Sequence, residues 1–175
     1  MQIDLTKVLS QEGRTQSADA EYSKKQFESK RGIFPVVGEN MIHFELEHFG
    51  NRVLFVVGSG KVDLMIPCAR CLEPVLVSID ISAKEKIDLK LSLDERSGEE
   101  DSGSYIDGQK LDVDEFVHNQ ILINWPLRVL CKDDCKGICS HCGCNRNLTE
   151  CDCDTTELDP RMAAIKDIFN QFKEV

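Results

Sequence analysis

Between residues 131 and 153 the chain reads CKDDCKGICSHCGCNRNLTECDC, seven cysteines in twenty-three residues. A segment this short and polar has no core of its own, with Ile138 and Leu148 its only aliphatic side chains, so the thiols must supply what holds it together. The chain has nine cysteines in all, an odd number that argues against a fully paired disulfide framework. It opens MQIDLTKVLSQEG, with no basic start followed by an apolar stretch, and so does not read as a secretory signal. No apolar run approaches the length that spans a bilayer. The expected compartment is therefore the cytoplasm, with no membrane partner, and in reducing surroundings clustered thiols read as metal ligands.

The spacing divides the thiols. Cys68 and Cys71 are separated by two residues, as are Cys139 and Cys142, and Cys-x2-Cys lets two sulfurs reach one ion from a tight turn. Cys139, Cys142, Cys151 and Cys153 can close a compact knuckle within fifteen residues. Cys68, Cys71, Cys131 and Cys135 then form a second, discontinuous site, with Cys144 as the spare thiol. Sulfur donors suit zinc rather than magnesium or calcium, so the expected cofactor is Zn²⁺, one or two ions. Other readings of Cys68 and Cys71 are a metal-free pair of thiols at a strand end and a redox pair. A redox Cys-x2-Cys usually opens a helix, whereas here Pro74 follows closely and strand patterns flank it. His141 is an alternative ligand inside the cluster, although Cys142 beside it has the better spacing.

An enzyme reading has to be set beside this one. His43-Phe44-Glu45 with Pro67-Cys68-Ala69-Arg70-Cys71 matches a zinc-deaminase pattern, in which His43, Cys68 and Cys71 hold the metal and Glu45 shuttles protons. That chemistry needs both pieces at helix starts, and IHFELEHF alternates like a strand. The chain is expected to be non-enzymatic, with no catalytic residue.

The remaining sequence gives the frame. At 175 residues and 41% hydrophobic it is long enough for one medium domain with a core and a small appendage. Residues 2–9 read as a strand and residues 10–32 as a polar stretch. MIHFELEHF (41–49) alternates, with Ile42, Phe44, Leu46 and His48 on one face, and Gly50-Asn51 reads as a hairpin turn. Gly58-Ser59-Gly60 reads as a further turn before KVDLMIP, and residues 74–93 as one long strand. Asp112 and Glu115 form a capping box for a helix over 112–125 that Pro126 ends. Asp159 and Pro160 start a C-terminal helix whose apolar face is Met162, Ile165, Ile168, Phe169 and Phe172. The expected fold class is α+β: an antiparallel β-sheet, as an open barrel or sandwich, with two helices and a cysteine-rich zinc knuckle. The domain expectation is a mainly β domain over 1–130, with an acidic loop at 94–115, and a knuckle plus C-terminal helix over 131–175.

Charge narrows the partners. The net charge is −10, and residues 94–115 hold nine acidic against two basic residues. Most such stretches are solvated loops; the functional reading is a docking surface for something basic. A direct RNA contact would fall to Lys24, Lys25, Lys30, Arg31 and Arg70, with charge compensation beside a tetrathiolate as the other reading of Arg70.

Cys68-Ala69-Arg70-Cys71-Leu72, a helix ending near Trp125-Pro126-Leu127, the run CKDDCKGICSHCG, then Cys151 and Cys153 and Asp159-Pro160-Arg161 together resemble the YceD family, the large-ribosomal-RNA-subunit accumulation proteins of bacteria and plastids. The resemblance covers about residues 40 to 172. Asn145-Arg146-Asn147 stands where the family has Asn-Leu-Asn, and Cys144 falls where the family position varies. The resemblance implies ribosome biogenesis: support of large-subunit (23S) rRNA accumulation or processing, without established catalysis. The partners it implies are a large-subunit ribosomal protein or a pre-ribosomal particle, with possible 23S rRNA contact. Basic ribosomal proteins need shielding before they meet rRNA, and an acidic factor can supply it.

Overall fold

The computed structural model describes residues 1–50, 53–89 and 105–153. The chain divides into two compact units: Met1–Pro67 with Pro74–Val129, and Cys68–Glu73 with Leu130–Val175. The expected C-terminal helix, Asn51 of the expected turn and residues 94–104 of the acidic run lie outside the described residues.

The first unit is α+β and mostly antiparallel sheet. In chain order its elements are β1 Gln2–Asp4, α1 Thr6–Leu9, β2 Thr15–Glu21, β3 Gln26–Ser29, β4 Gly32–Val37, β5 Met41–Phe49, β6 Val53–Pro67, β7 Pro74–Asp88, β8 Ile106–Asp107, β9 Lys110–Asp112 and α2 Val113–Ile123. β6 is the spine of a six-stranded sheet. One edge pairs with β7 along its whole length; the other pairs with β5 over Val53–Gly60 and with β4 at Asp63 and Leu64. β2 lies beyond β5 and β3 beyond β4, so among the described residues the sheet is open rather than a closed barrel. β1, β9 and β8 make a separate three-stranded sheet.

Strict alternation in β5 buries Ile42, Phe44, Leu46 and His48 and leaves His43, Glu45 and Glu47 exposed. Of these, Phe44 meets α2, whose Phe116, Val117 and Ile121 are fully buried. Phe44 and Phe116 pack edge to face at 5.2 Å. Burying each such ring contributes roughly 2–3 kcal/mol. Asp112 caps α2 by accepting the Glu115 N–H at 3.2 Å, and the helix stops at Ile123.

Three local expectations are corrected. Gly58-Ser59-Gly60 is not a turn but the middle of β6. The glycines are there for space: a Cβ at Gly58 would lie 2.6 Å from the Phe116 ring, and one at Gly60 would lie 2.6 Å from Ile42 and 2.7 Å from the Met41 carbonyl oxygen. Residues 2–9 break after Asp4, whose carboxylate accepts from the Thr6 N–H and hydroxyl and turns the chain into α1. The polar stretch 10–32 contains β2 and β3.

The second half of the acidic run is built into the unit. Tyr105 and Ile106 are buried, and the Tyr105 hydroxyl donates to the Glu85 carboxylate. Burial would raise the Asp114 carboxyl, but the Met1 ammonium and the Ser23 hydroxyl and N–H hold it below its ordinary value. Asp112 is the cap. Neither is free for a partner.

Candidate metal centres

The second unit is organised around sulfur. Cys68, Cys71, Cys131 and Cys135 bring their Sγ atoms within 4.8 Å of one another, and Cys139, Cys142, Cys151 and Cys153 do the same. In the first group Cys68 and Cys135 are 3.8 Å apart and Cys71 and Cys131 3.5 Å. A tetrahedron with metal–sulfur bonds of about 2.3 Å has edges of about 3.8 Å, so the spacing suits one ion. Each group could hold a metal ion.

Each group starts from the same turn. At residues 68–73 the Cys68 N–H donates to the Glu73 carbonyl at 2.8 Å, and the Leu72 N–H to the Cys68 carbonyl at 3.0 Å. At residues 139–144 the Cys139 N–H donates to the Cys144 carbonyl at 2.8 Å, and the Gly143 N–H to the Cys139 carbonyl at 2.9 Å. The residue after the second cysteine has positive φ in both: +63° at Leu72 and +72° at Gly143. Among the described residues Leu72 is the one non-glycine residue in that region.

These turns aim N–H groups at the first sulfur. Burial would raise the Cys68 thiol, but the backbone N–H groups of Arg70, Cys71 and Cys131 bring it down to about 6. The N–H groups of Cys142 and His141 bring Cys139 to about 6. Lowered thiols are the first to become thiolates, the form that binds metal. Burial and the neighbouring thiols push Cys131 up to about 12, and the Cys142 side chain and burial do the same to Cys153.

The two groups share one scaffold. The Ile138 N–H donates to the Arg70 carbonyl at 3.0 Å, and Ile138 pairs with Asn145 in an isolated antiparallel bridge. Asn147 donates from Nδ2 to Cys135 Sγ at 3.3 Å and accepts the Lys136 N–H at 2.9 Å. Asn145 accepts from Asn147 and donates to Glu73 at 3.2 Å. The sequence alone gives neither asparagine a role; its one local trace is an Asn-x-Asn directly after the second turn.

The YceD family model, described as "Large ribosomal RNA subunit accumulation protein YceD", matches residues 56–169, a span that includes all nine cysteines. The chain belongs to the YceD family. An uncharacterized protein of Mycobacterium bovis is 26% identical over 90 residues, 51% of this chain and 44% of that protein. One of Mycobacterium leprae is 23% identical over 90 residues, 51% of this chain and 42% of that protein. The large ribosomal RNA subunit accumulation protein YCED homolog 1, chloroplastic, of Arabidopsis thaliana is 24% identical over 66 residues, 38% of this chain and 21% of that protein. The chain spans less than half the length of the curated relatives it matches. No solved structure matches it.

In this YceD-family chain the other candidate residues have distinct settings. Cys144 stands outside both groups of four, its thiol pushed up to about 12 by Cys142 and Cys151. His43 and Glu45 lie in the middle of β5, not at a helix start, and His43 Nδ1 sits 2.7 Å from Asp19 Oδ1. Arg70 donates to the Cys135 carbonyl at 2.8 Å and the Asp133 carbonyl at 3.4 Å, so it braces the first group. Lys24 and Lys25 precede β3 and Lys30 and Arg31 follow it. Four residues of strand put roughly 13 Å between the two basic pairs. Among the described residues no helix is long and apolar enough to cross a membrane.

Proposed function

We propose that the chain is a non-catalytic, cytoplasmic factor in biogenesis of the large ribosomal subunit, supporting accumulation or processing of its 23S rRNA. The observation that carries this reading is the family match over 56–169, which takes in both thiol groups. The ligands are Cys68, Cys71, Cys131 and Cys135 for one Zn²⁺ and Cys139, Cys142, Cys151 and Cys153 for a second. Four protein sulfurs per ion leave no open coordination position, which supports a structural rather than a catalytic metal. The ion supplies folding energy to a unit with little apolar core.

The partner in this reading is a basic large-subunit ribosomal protein or an assembly intermediate that contains it. Support comes from charge. Two tetrathiolate sites add formal negative charge to a chain already at −10, which makes the knuckles poor phosphate clamps. Arg70 is engaged by backbone carbonyls, and the other candidates for RNA contact, Lys24, Lys25, Lys30 and Arg31, are split between the ends of β3. Direct binding to 23S rRNA is the alternative. Crosslinking the tagged protein in cells and sequencing attached RNA separates them: the escort reading expects no discrete large-subunit sites. Neutralising Asp94, Glu95, Glu99, Glu100 and Asp101 should lower both partner capture and large-subunit rRNA. Unchanged levels of both would sink the escort.

A further inference from the structure

The inner face of the six-stranded sheet is filled by the core; its outer face carries an ordered pattern of charge. The strand register puts Glu47, Phe55 and Lys86 in one row across β5, β6 and β7, and Glu45, Val57 and Lys84 in the next. Over these two rows the face runs in short stripes, acidic on β5, apolar on β6 and basic on β7; beyond them β5 carries His43, 3.8 Å from Glu45, and Lys61 of β6 pairs with Asp80 of β7. Both glutamates and both lysines are exposed, and neither lysine has an ion pair among the described residues. β5 and β7 lie two strand spacings apart, about 9.6 Å, across the apolar stripe. Phe49, 63% exposed at the end of β5, stands edge-on to Phe55 at 6.0 Å.

This arrangement is complementary to itself under one symmetry operation. A twofold axis parallel to β6, lying between two facing sheets, exchanges left and right but keeps position along the strand. It sets Glu45 and Glu47 of one copy opposite Lys84 and Lys86 of the other, twice over, with Phe55 and Val57 meeting their own counterparts at the centre. An in-plane twofold across the strands would instead face glutamate with glutamate. The face is also hollowed: Thr15, Ser17, Glu45, Glu47 and Lys84 are among the residues lining an open concavity of about 700 Å³. Under that axis it faces the other copy's β7 lysines. We propose that this face is a homodimer interface, its occupant a second copy of the same chain in that orientation.

Size and chemistry agree. The strands that overlap under this axis are β5, β6 and β7; at about 4.8 Å between strands and 3.3 Å per residue their outer faces offer on the order of 600 Å². Specific interfaces begin at about 600 Å² per partner, about 1,200 Å² in all. Aligned sheets pack about 10 Å apart, within reach of paired glutamate and lysine side chains. The two glutamates balance the two lysines, so these stripes exert no net pull on a polyanion such as RNA. The interface is independent of what the thiol groups bind.

The test is the mass of the full, metal-loaded chain by analytical ultracentrifugation across concentration and salt. The wild type should sediment at twice the chain mass and weaken at high salt. Glu45→Lys with Glu47→Lys should leave a monomer, because four lysines then face four. Lys84→Glu with Lys86→Glu should do the same with the opposite sign. Mixing these two folded monomers should restore a dimer, since each now complements the other; that restoration cannot come from misfolding. A wild type that stays monomeric overturns the proposal and leaves the face to a foreign partner. A dimer that both double variants leave intact overturns it equally.

Discussion

At residues 68–73 and again at 139–144 the backbone makes one turn: the first cysteine's carbonyl accepts from the residue four on, its N–H donates to the carbonyl five on, and the residue after the second cysteine takes positive φ. The two turns differ in what closes them. One uses Gly143, for which that conformation is free; the other uses Leu72, exposed and held where a side chain costs about 1–2 kcal/mol. They differ also in reach. The turn at 139 finds its other two sulfurs within the next fourteen residues, while the turn at 68 draws its own from sixty-odd residues away. The comparison teaches that sulfurs and N–H groups set the shape, and that the closing residue only tunes it.

The largest expected effect separates the groups by reach. Cys135→Ser should lower bound zinc from two ions per chain to one by elemental analysis and free residues 68–73 for proteolysis. Cys139→Ser should remove the other ion while leaving 68–73 protected. If either substitution emptied both groups, the shared scaffold would matter more than the separate turns. Chelation of both ions should abolish the second unit's thermal transition and spare that of the β unit.

Acid should act on both turns alike. Cys68 and Cys139 lie well below an ordinary thiol, so their thiolates persist down to about pH 6 and are protonated below it. The ion must displace the protons of the raised thiols, Cys131 and Cys153 included, so binding should release protons and weaken steadily as pH falls, with Cys68 and Cys139 the last ligands to be protonated, near pH 6. An affinity independent of pH would contradict this.

Asn147 sharpens the contrast. Its Nδ2 donates to Cys135 in the first group, and no described hydrogen bond of this kind reaches the second. Asn147→Leu should weaken the first site about 10–100-fold in chelator competition and leave the second unchanged. The smallest effect is an exchange of closing residues. Leu72→Gly should stabilise the second unit by up to ~1 kcal/mol and Gly143→Ala should destabilise it by about 1–2 kcal/mol, because nothing crowds a Cβ there and only φ resists. Thermal melts of both would show whether the turns are energetically as alike as their hydrogen bonds.

How far the sequence could be read follows from how physical signals are carried. Alternation in 41–49 is a property of consecutive residues, so β5 and its buried face were legible. The Asp112 cap was legible for the same reason. β2 was not, because Ala20 is the only residue of TQSADAE that is buried and an edge strand needs no more apolar pattern. Gly58 and Gly60 misled because local sequence cannot say whether a glycine bends the chain or clears room for a ring arriving from Phe116. In the thiol groups, spacing made two sets of four legible as an expectation. Asn145, Asn147 and the braced Arg70 depend on where residues 68–73 and 135–147 meet, which no local pattern encodes.

The turn at 68–73 has a consequence in time. Cys68 and Cys71 leave the ribosome about sixty residues before Cys131 and Cys135, and at about 5–20 residues per second that interval lasts roughly 3–12 s. During it the chain presents two thiols with half a coordination shell. A nascent chain of this design is therefore most exposed to oxidants and to the wrong metal while it is still being made.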